Sequence, residues 1–201
     1  GSTGDYALML FAGLILYNAF AECLKKAPTL ITANPNFVKK VVFPLELLPW
    51  VMALGAAAQA LLGIVVWLGG YVVLFGWPRL TALYCPLVLA VFFPVLLGLG
   101  WLLAAVGVFV RDVGHATELV AHALLFLTPI FYSVDAAPVV LRRALMLNPL
   151  TFVIEQFRQV LFVGHGPDLA GLALYLAAAV LFSGACLLVF RRLRPAFADL
   201  V

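Results

Sequence analysis

The sequence predicts an all-α integral membrane protein with five transmembrane helices, and three observations carry that prediction. Of its 201 residues, 66% are hydrophobic and 10% are charged; a soluble domain carries about 45–50% and about 25%. Mean hydropathy is +1.15, and a soluble fold of this length has too little interior to hide so much apolar side chain. The apolar residues fall in long charge-free runs that do not alternate apolar with polar, as the strands of a membrane barrel must. These features exclude a soluble enzyme, a disordered chain and a disulfide-stapled secreted module. The net charge of +3 leaves no nucleic-acid footprint. Cys23, Cys85 and Cys186 lie apart in apolar surroundings and read as small core residues, not as a metal or redox motif.

The charge-free runs cover residues 6–21, 47–78, 80–110, 119–134 and 169–190. A helix needs about 20 apolar residues to cross roughly 30 Å of hydrocarbon. Gly76, Trp77 and Pro78 mark a turn between the second and third runs. The predicted spans are therefore near 6–24, 48–73, 84–110, 114–133 and 169–190, in one transmembrane domain over residues 1–201. Lys25, Lys26, Lys39, Lys40, Arg111, Arg191, Arg192 and Arg194 fall on one side, against Arg79, Arg142, Arg143 and Arg158 on the other. By the positive-inside rule the first group is cytoplasmic, so the chain begins outside and ends inside. No signal peptide precedes an outside start here. The topology thus predicts one further amino-terminal span, six in the intact protein.

Two segments are not simple spans. Residues 25–46 mix charge with Leu30, Ile31, Phe37 and Val38. They read either as a solvated basic loop or as a docking element, with a short helix over 29–33 that Asn34-Pro35 stops. Residues 135–168 contain two amphipathic pieces. Pro138 opens one that Asn148-Pro149 ends. The second runs from Leu150 towards Gly164, with Ile154, Phe157 and Leu161 on one face and Glu155 spaced to meet Arg158. They predict two short helices at the outer interface or dipping into it. Capping the bundle and gating an exit are both open to them.

Ionisable groups inside spans are functional candidates by default. Glu118 and His122 share one helix face. A structural hydrogen bond, a place on a path wall and proton transfer are the readings of His122. Gln59 is expected to be buried and bonded across to another helix. Tyr17 and Phe126 join Glu118 and His122 as candidate path-lining residues, since aromatic faces can stack on sugar rings. No HExxH, GxSxG or GxxxxGK[ST] pattern occurs, so neither a metalloprotease, a serine hydrolase nor an ATP-binding loop is indicated.

The order of four short motifs carries a resemblance. Asn34-Pro-Asn-Phe-Val-Lys-Lys-Val-Val-Phe-Pro-Leu-Glu-Leu-Leu-Pro49 lies between two spans. Phe109-Val-Arg-Asp-Val113 ends a long span at the cytoplasmic face. Thr128-Pro-Ile-Phe-Tyr132 ends the next span outside, and Asn148-Pro-Leu-Thr-Phe152 follows. The series resembles the permease subunits of ABC type-2 exporters, specifically those exporting O-antigen, capsular or teichoic-acid polysaccharide.

The resemblance implies a homodimer that works with two copies of a separate ATPase. That partner would hold ATP and Mg, and the permease itself no cofactor or metal. It implies a coupling helix around Pro28, Thr29, Leu30, Ile31, Thr32, Asn34 and Asn36, with Lys39 and Lys40 beside it, and a cytoplasmic motif at Arg111 and Asp112. It implies outer gate helices involving Pro129, Tyr132, Asn148, Pro149, Phe152, Phe157 and Arg158. It further implies an inner-membrane location and a cargo, polyprenyl-diphosphate-linked in many relatives, that crosses at the dimer interface. Relatives carry an amino-terminal interfacial helix and a first span that are absent from these residues, and Thr128 stands where many have serine.

Overall fold

The computed structural model describes residues 3–39, 44–131, 145 and 148–200. The described residues are helical, with no strand among them. Helix α1 (Thr3–Lys26) runs into a 3-10 turn (Ala27–Thr29), and α2 (Pro35–Lys39) follows. Then come α3 (Leu47–Phe75), a 3-10 turn (Leu80–Tyr84), α4 (Cys85–Phe109) and α5 (Val113–Leu127). Helix α6 (Pro149–Arg158) widens into a π turn (Gln159–Val163); α7 (Leu169–Leu193), a 3-10 turn (Arg194–Ala196) and α8 (Phe197–Leu200) complete the chain.

Four stretches are long and apolar enough to cross a membrane: Gly4–Thr29, Leu47–Phe75, Leu80–Phe109 and Leu169–Ala196. The fifth apolar segment, α5, has only 15 residues. At 1.5 Å per residue it reaches about 22 Å, short of the hydrocarbon thickness. It stops at Leu127, six residues before the expected limit, because Thr128 precedes Pro129 and adopts the extended conformation that proline imposes on its neighbour (φ −96°, ψ 140°). Gly76 ends α3 at φ +85°, a conformation that side chains disfavour, so the expected turn falls in place.

Helix α4 is the central element and packs against α7, α3 and α1. Within their apolar windows α1 and α4 are each 61% buried, α3 33% and α7 22%. The last two therefore present broad apolar surfaces outward, as lipid-facing helices do. Pro94 sits inside α4 without ending it, which the lipid setting tolerates where neighbouring helices surround the bend. Glu46, at the start of α3, pairs with Arg194 at 3.0 Å and Arg191 at 3.8 Å. That gathers the start of α3 and the end of α7 at one end of the bundle, the basic end.

Helix α6 dips into the bundle. The Asp168 N–H donates to Gln156 Oε1 at 2.8 Å, level with the start of α7. Two turns earlier, the Pro149 carbonyl accepts from Tyr175 Oη at 3.0 Å. Tyr175 is seven residues along α7 from Asp168, about 10 Å at helical rise. The helix thus begins about 10 Å deeper than it ends. Of the two interface helices the sequence predicts, this is the second. The first falls within 132–147, outside the described residues except for Leu145, as does Tyr132.

Candidate functional site

At the basic end, the segment after α1 is clamped onto α4. Pro28 and Ile31 are fully inside, Leu30 is half-buried, and Thr29, Thr32 and Asn36 are exposed. A Cβ added at Gly107 would stand 2.0 Å from the Pro28 carbonyl oxygen. Only glycine permits that approach, so Gly107 is the seat of the segment. No helix spans 29–33 as expected. A single turn closes by Ala33 N–H donating to Thr29 O at 2.8 Å, and Asn34 Nδ2 donates to Leu30 O at 2.8 Å. Pro35 then opens α2 instead of merely ending what precedes it, since a first-turn proline lacks only a donor that would be unpaired anyway. Lys40 and the Lys39 side chain lie outside the described residues.

Arg111 and Asp112 form the exposed turn between α4 and α5. Arg111, Thr29 and Thr32 line a polar cleft of about 330 Å³, with Gly107 at its floor and Leu200 at its rim. The tail is held there by Phe197, which is wholly buried and meets Phe190 at 5.4 Å and Phe109 at 6.2 Å. The segments expected to be the coupling helix and the cytoplasmic motif, about 80 residues apart in sequence, thus share one surface. Ile31 belongs to its foundation and not to its exposed face, so a charge there would undermine the segment before it met any partner.

At the far end, the remaining two motifs meet. Asn148 caps α6 by accepting from Leu150 N–H at 3.0 Å and donates to Thr128 Oγ1 at 3.0 Å. Arg158, 7% exposed, donates to the carbonyls of Pro129 and Ile130, both at 2.6 Å. These carbonyls are available because the chain at Thr128 and Pro129 has left the helix, so no helical N–H donates to them. Burial lowers the guanidinium pKa from its ordinary value, and Glu155 and Tyr6 act in the opposite direction. Phe157 is fully buried, Phe152 stacks on Tyr175 at 5.7 Å, and Pro149 remains exposed. Arg79 ties in by donating to the Val163 carbonyl, and Thr81 Oγ1 donates to Val160 O at 2.7 Å. The expected gate residues therefore form a tied block in which Phe157 is core, not a surface.

The path-lining candidates separate. Glu118, His122 and Phe126 are exposed along one face of α5, with Phe126 69% exposed. His122 Nδ1 lies 2.8 Å from the Glu118 carbonyl, which anchors the ring on that face. Tyr17 departs from its expectation. It is buried, and its hydroxyl donates to Ala121 O at 2.7 Å, joining α1 to α5. Gln59, expected inside, is exposed on α3.

The profile of the ABC-2 type transporter family matches residues 2–162. The chain belongs to the ABC-2 type transporter family. Among the curated relatives of this ABC-2 chain, the O-antigen export system permease protein RfbA of Myxococcus xanthus is 23% identical over 197 residues, covering 97% of this chain and 76% of that protein. A protein of the same name from Klebsiella pneumoniae is 23% identical over 201 residues, covering 98% and 76%. The family fits the multi-pass helical fold and makes the chain a transport permease. One residue under the polar cleft of this ABC-2 chain has no signal in the sequence, Gly107. Nothing distinguishes it in an apolar run that also contains Gly98 and Gly100; only the approach of Pro28 does.

Proposed function

We propose that this chain is the membrane-spanning permease of an ATP-driven exporter that moves a polysaccharide such as O-antigen, carried on polyprenyl diphosphate, outward across the inner membrane. The observation that carries the reading is similarity along nearly the whole chain to permeases named for O-antigen export. The basic end is cytoplasmic, carboxyl terminus included. A second copy completes the path, and two copies of a separate ATPase hold the ATP and Mg. That ATPase docks on the cleft between Thr29, Thr32 and Arg111, with Asn36 on the exposed flank. Closure of the ATPases on ATP pushes the docking segment, and the Pro28–Gly107 seat passes the push to α4. Helix α4 is packed against α7 and touches α6, so the motion reaches the far-end block. The polymer then leaves past Pro149 and Phe152.

The test is deletion of the gene with complementation by the tagged full-length protein. Polysaccharide accumulating in the cytoplasm, and an ATPase co-purifying in stoichiometric amount, are expected. Normal surface polysaccharide in the deletion strain would refute the cargo. Purification as a homo-oligomer without ATPase would refute the exporter reading.

A further inference from the structure

Asn18 stands out on α1. Of the residues in the middle of that helix it alone is exposed, between buried Tyr17 and Ala19. Contacts between neighbouring helices fix what lies at its level. Helices α1 and α3 run antiparallel: Trp67 Nε1 donates to Leu8 O at 2.8 Å, and Gly63 faces Ile15, whose Cγ1 would be 3.1 Å from an added Cβ. Counting one turn along each helix from the Gly63–Ile15 contact brings Gln59 opposite Asn18 and Ala19. On the other flank, the Tyr17–Ala121 bond sets Glu118 and His122 within a turn of the same level. Asn18, Gln59, Glu118 and His122 therefore form one belt, about 12 Å into the bundle from Lys26 at helical rise.

They also point the same way. Phe20, which stacks on Phe92 of α4, marks the inner side of α1. Asn18 is turned about 160° from it at 100° per residue. Gln59 lies about 40° around α3 from Gly63, at the edge of its exposed arc beside α1. Following the right-handed sense of α5 from Ala121 carries Glu118 and His122 to that same open side. Among the described residues neither the Asn18 nor the Gln59 side chain has a hydrogen-bond partner, and all four residues are exposed. Amide groups without partners at membrane depth are costly against lipid. Two amides, an imidazole and a carboxylate at one level instead suit a hydroxyl-rich ligand, to which each can donate or accept.

We propose that Asn18 and Gln59 join Glu118 and His122 as a hydrogen-bonding belt on the wall of the translocation path, taking the hydroxyls of a saccharide chain in transit. The assignment rests on the export reading for its ligand and on α1, α3 and α5 for its geometry. Thiol accessibility tests the geometry without reference to cargo. In the full-length permease with its ATPase in intact membranes, Asn18→Cys and Gln59→Cys are treated with a charged methanethiosulfonate. Val65→Cys, 64% exposed on the far side of α3, is the lipid-facing control. The three native cysteines are buried and add little background. Thiolate forms only where water reaches, so labelling at 18 and 59 should be about tenfold faster than at 65.

The paired variant Asn18→Leu with Gln59→Leu should assemble normally yet export several-fold more slowly. Labelling at 18 and 59 no faster than at 65 overturns the belt. So does wild-type export by the paired variant. A deletion strain that keeps its surface polysaccharide would sink the export reading instead, and the labelling ratio would be unaffected by it.

Discussion

Replacing Gly107 with alanine tests the proposed docking seat most directly. The added carbon would stand 2.0 Å from the Pro28 carbonyl oxygen, 2.7 Å from its carbonyl carbon and 2.8 Å from its Cα. Contacts below 3.0 Å are essentially never made by a real Cβ, so the segment must retreat by about 1 Å. All three obstructing atoms are backbone, and no rotamer change relieves them. Overpacking of this kind costs about 1–3 kcal/mol. Alanine returns up to about 1 kcal/mol through helix propensity. The net expectation is about 1–2 kcal/mol against the seated segment, enough to leave it unseated several-fold more often. Gly184→Ala is the matched control, because nothing lies within 4 Å of that position and only the propensity gain applies. The assay is ATP hydrolysis by the reconstituted ATPase–permease complex, beside the melting temperature of the permease in detergent. Gly107→Ala should lower both the melting temperature and the stimulation of ATPase by cargo, and Gly184→Ala should lower neither. Indistinguishable behaviour of the two variants would refute the seat.

Three further outcomes are expected. Thr32→Asp, on the exposed face of the docking segment, should leave the melting temperature unchanged and weaken ATPase co-purification, whereas Ile31→Asp should lower the yield of folded protein through a buried charge; equal yields would mean that Ile31 is not buried. Arg158→Met should destabilise the permease by about 3 kcal/mol, since two charge-assisted bonds are lost and two carbonyls are left without donors, and Arg158→Lys should not restore it because one ammonium cannot reproduce the fork; thermal unfolding of the purified protein checks both. Thr128→Ser should be neutral and Thr128→Val should cost about 1 kcal/mol, the value of the bond from Asn148, with rescue by serine separating that bond from packing.

How far each feature could be read from the chain follows from its range. Helix positions were legible, since hydropathy and the Gly76 turn act within one segment; observed limits differ from the expected ones by a few residues at most ends. The end of α5 was less so. The Thr128-Pro129 pair marks it in the sequence, but the apolar residues that follow conceal it. The motifs around Pro28–Asn36 and at the far end were visible as sequence patterns. Which of their members are foundation and which are surface was not: Ile31 and Phe157 are apolar residues in amphipathic segments, and periodicity alone does not say which neighbour covers them. Tyr17 and Gln59 show the same limit in reverse. An aromatic able to stack on sugar reads as path-lining and a glutamine in a span reads as buried, yet each is assigned by which way α1 and α3 turn.

By itself the sequence determined that this chain lives in lipid, where its helices lie, which end is basic and which family it joins. Those are properties of composition, of 3.6-residue periodicity and of short ordered motifs, all local along the chain. Tertiary structure alone decided that Pro28 rests on Gly107, that Arg158 holds the carbonyls of Pro129 and Ile130, and that four polar residues from three helices share one level and one side. Such facts depend on helix register and rotation, which are set by close packing between segments distant in sequence and leave no trace in any single one of them.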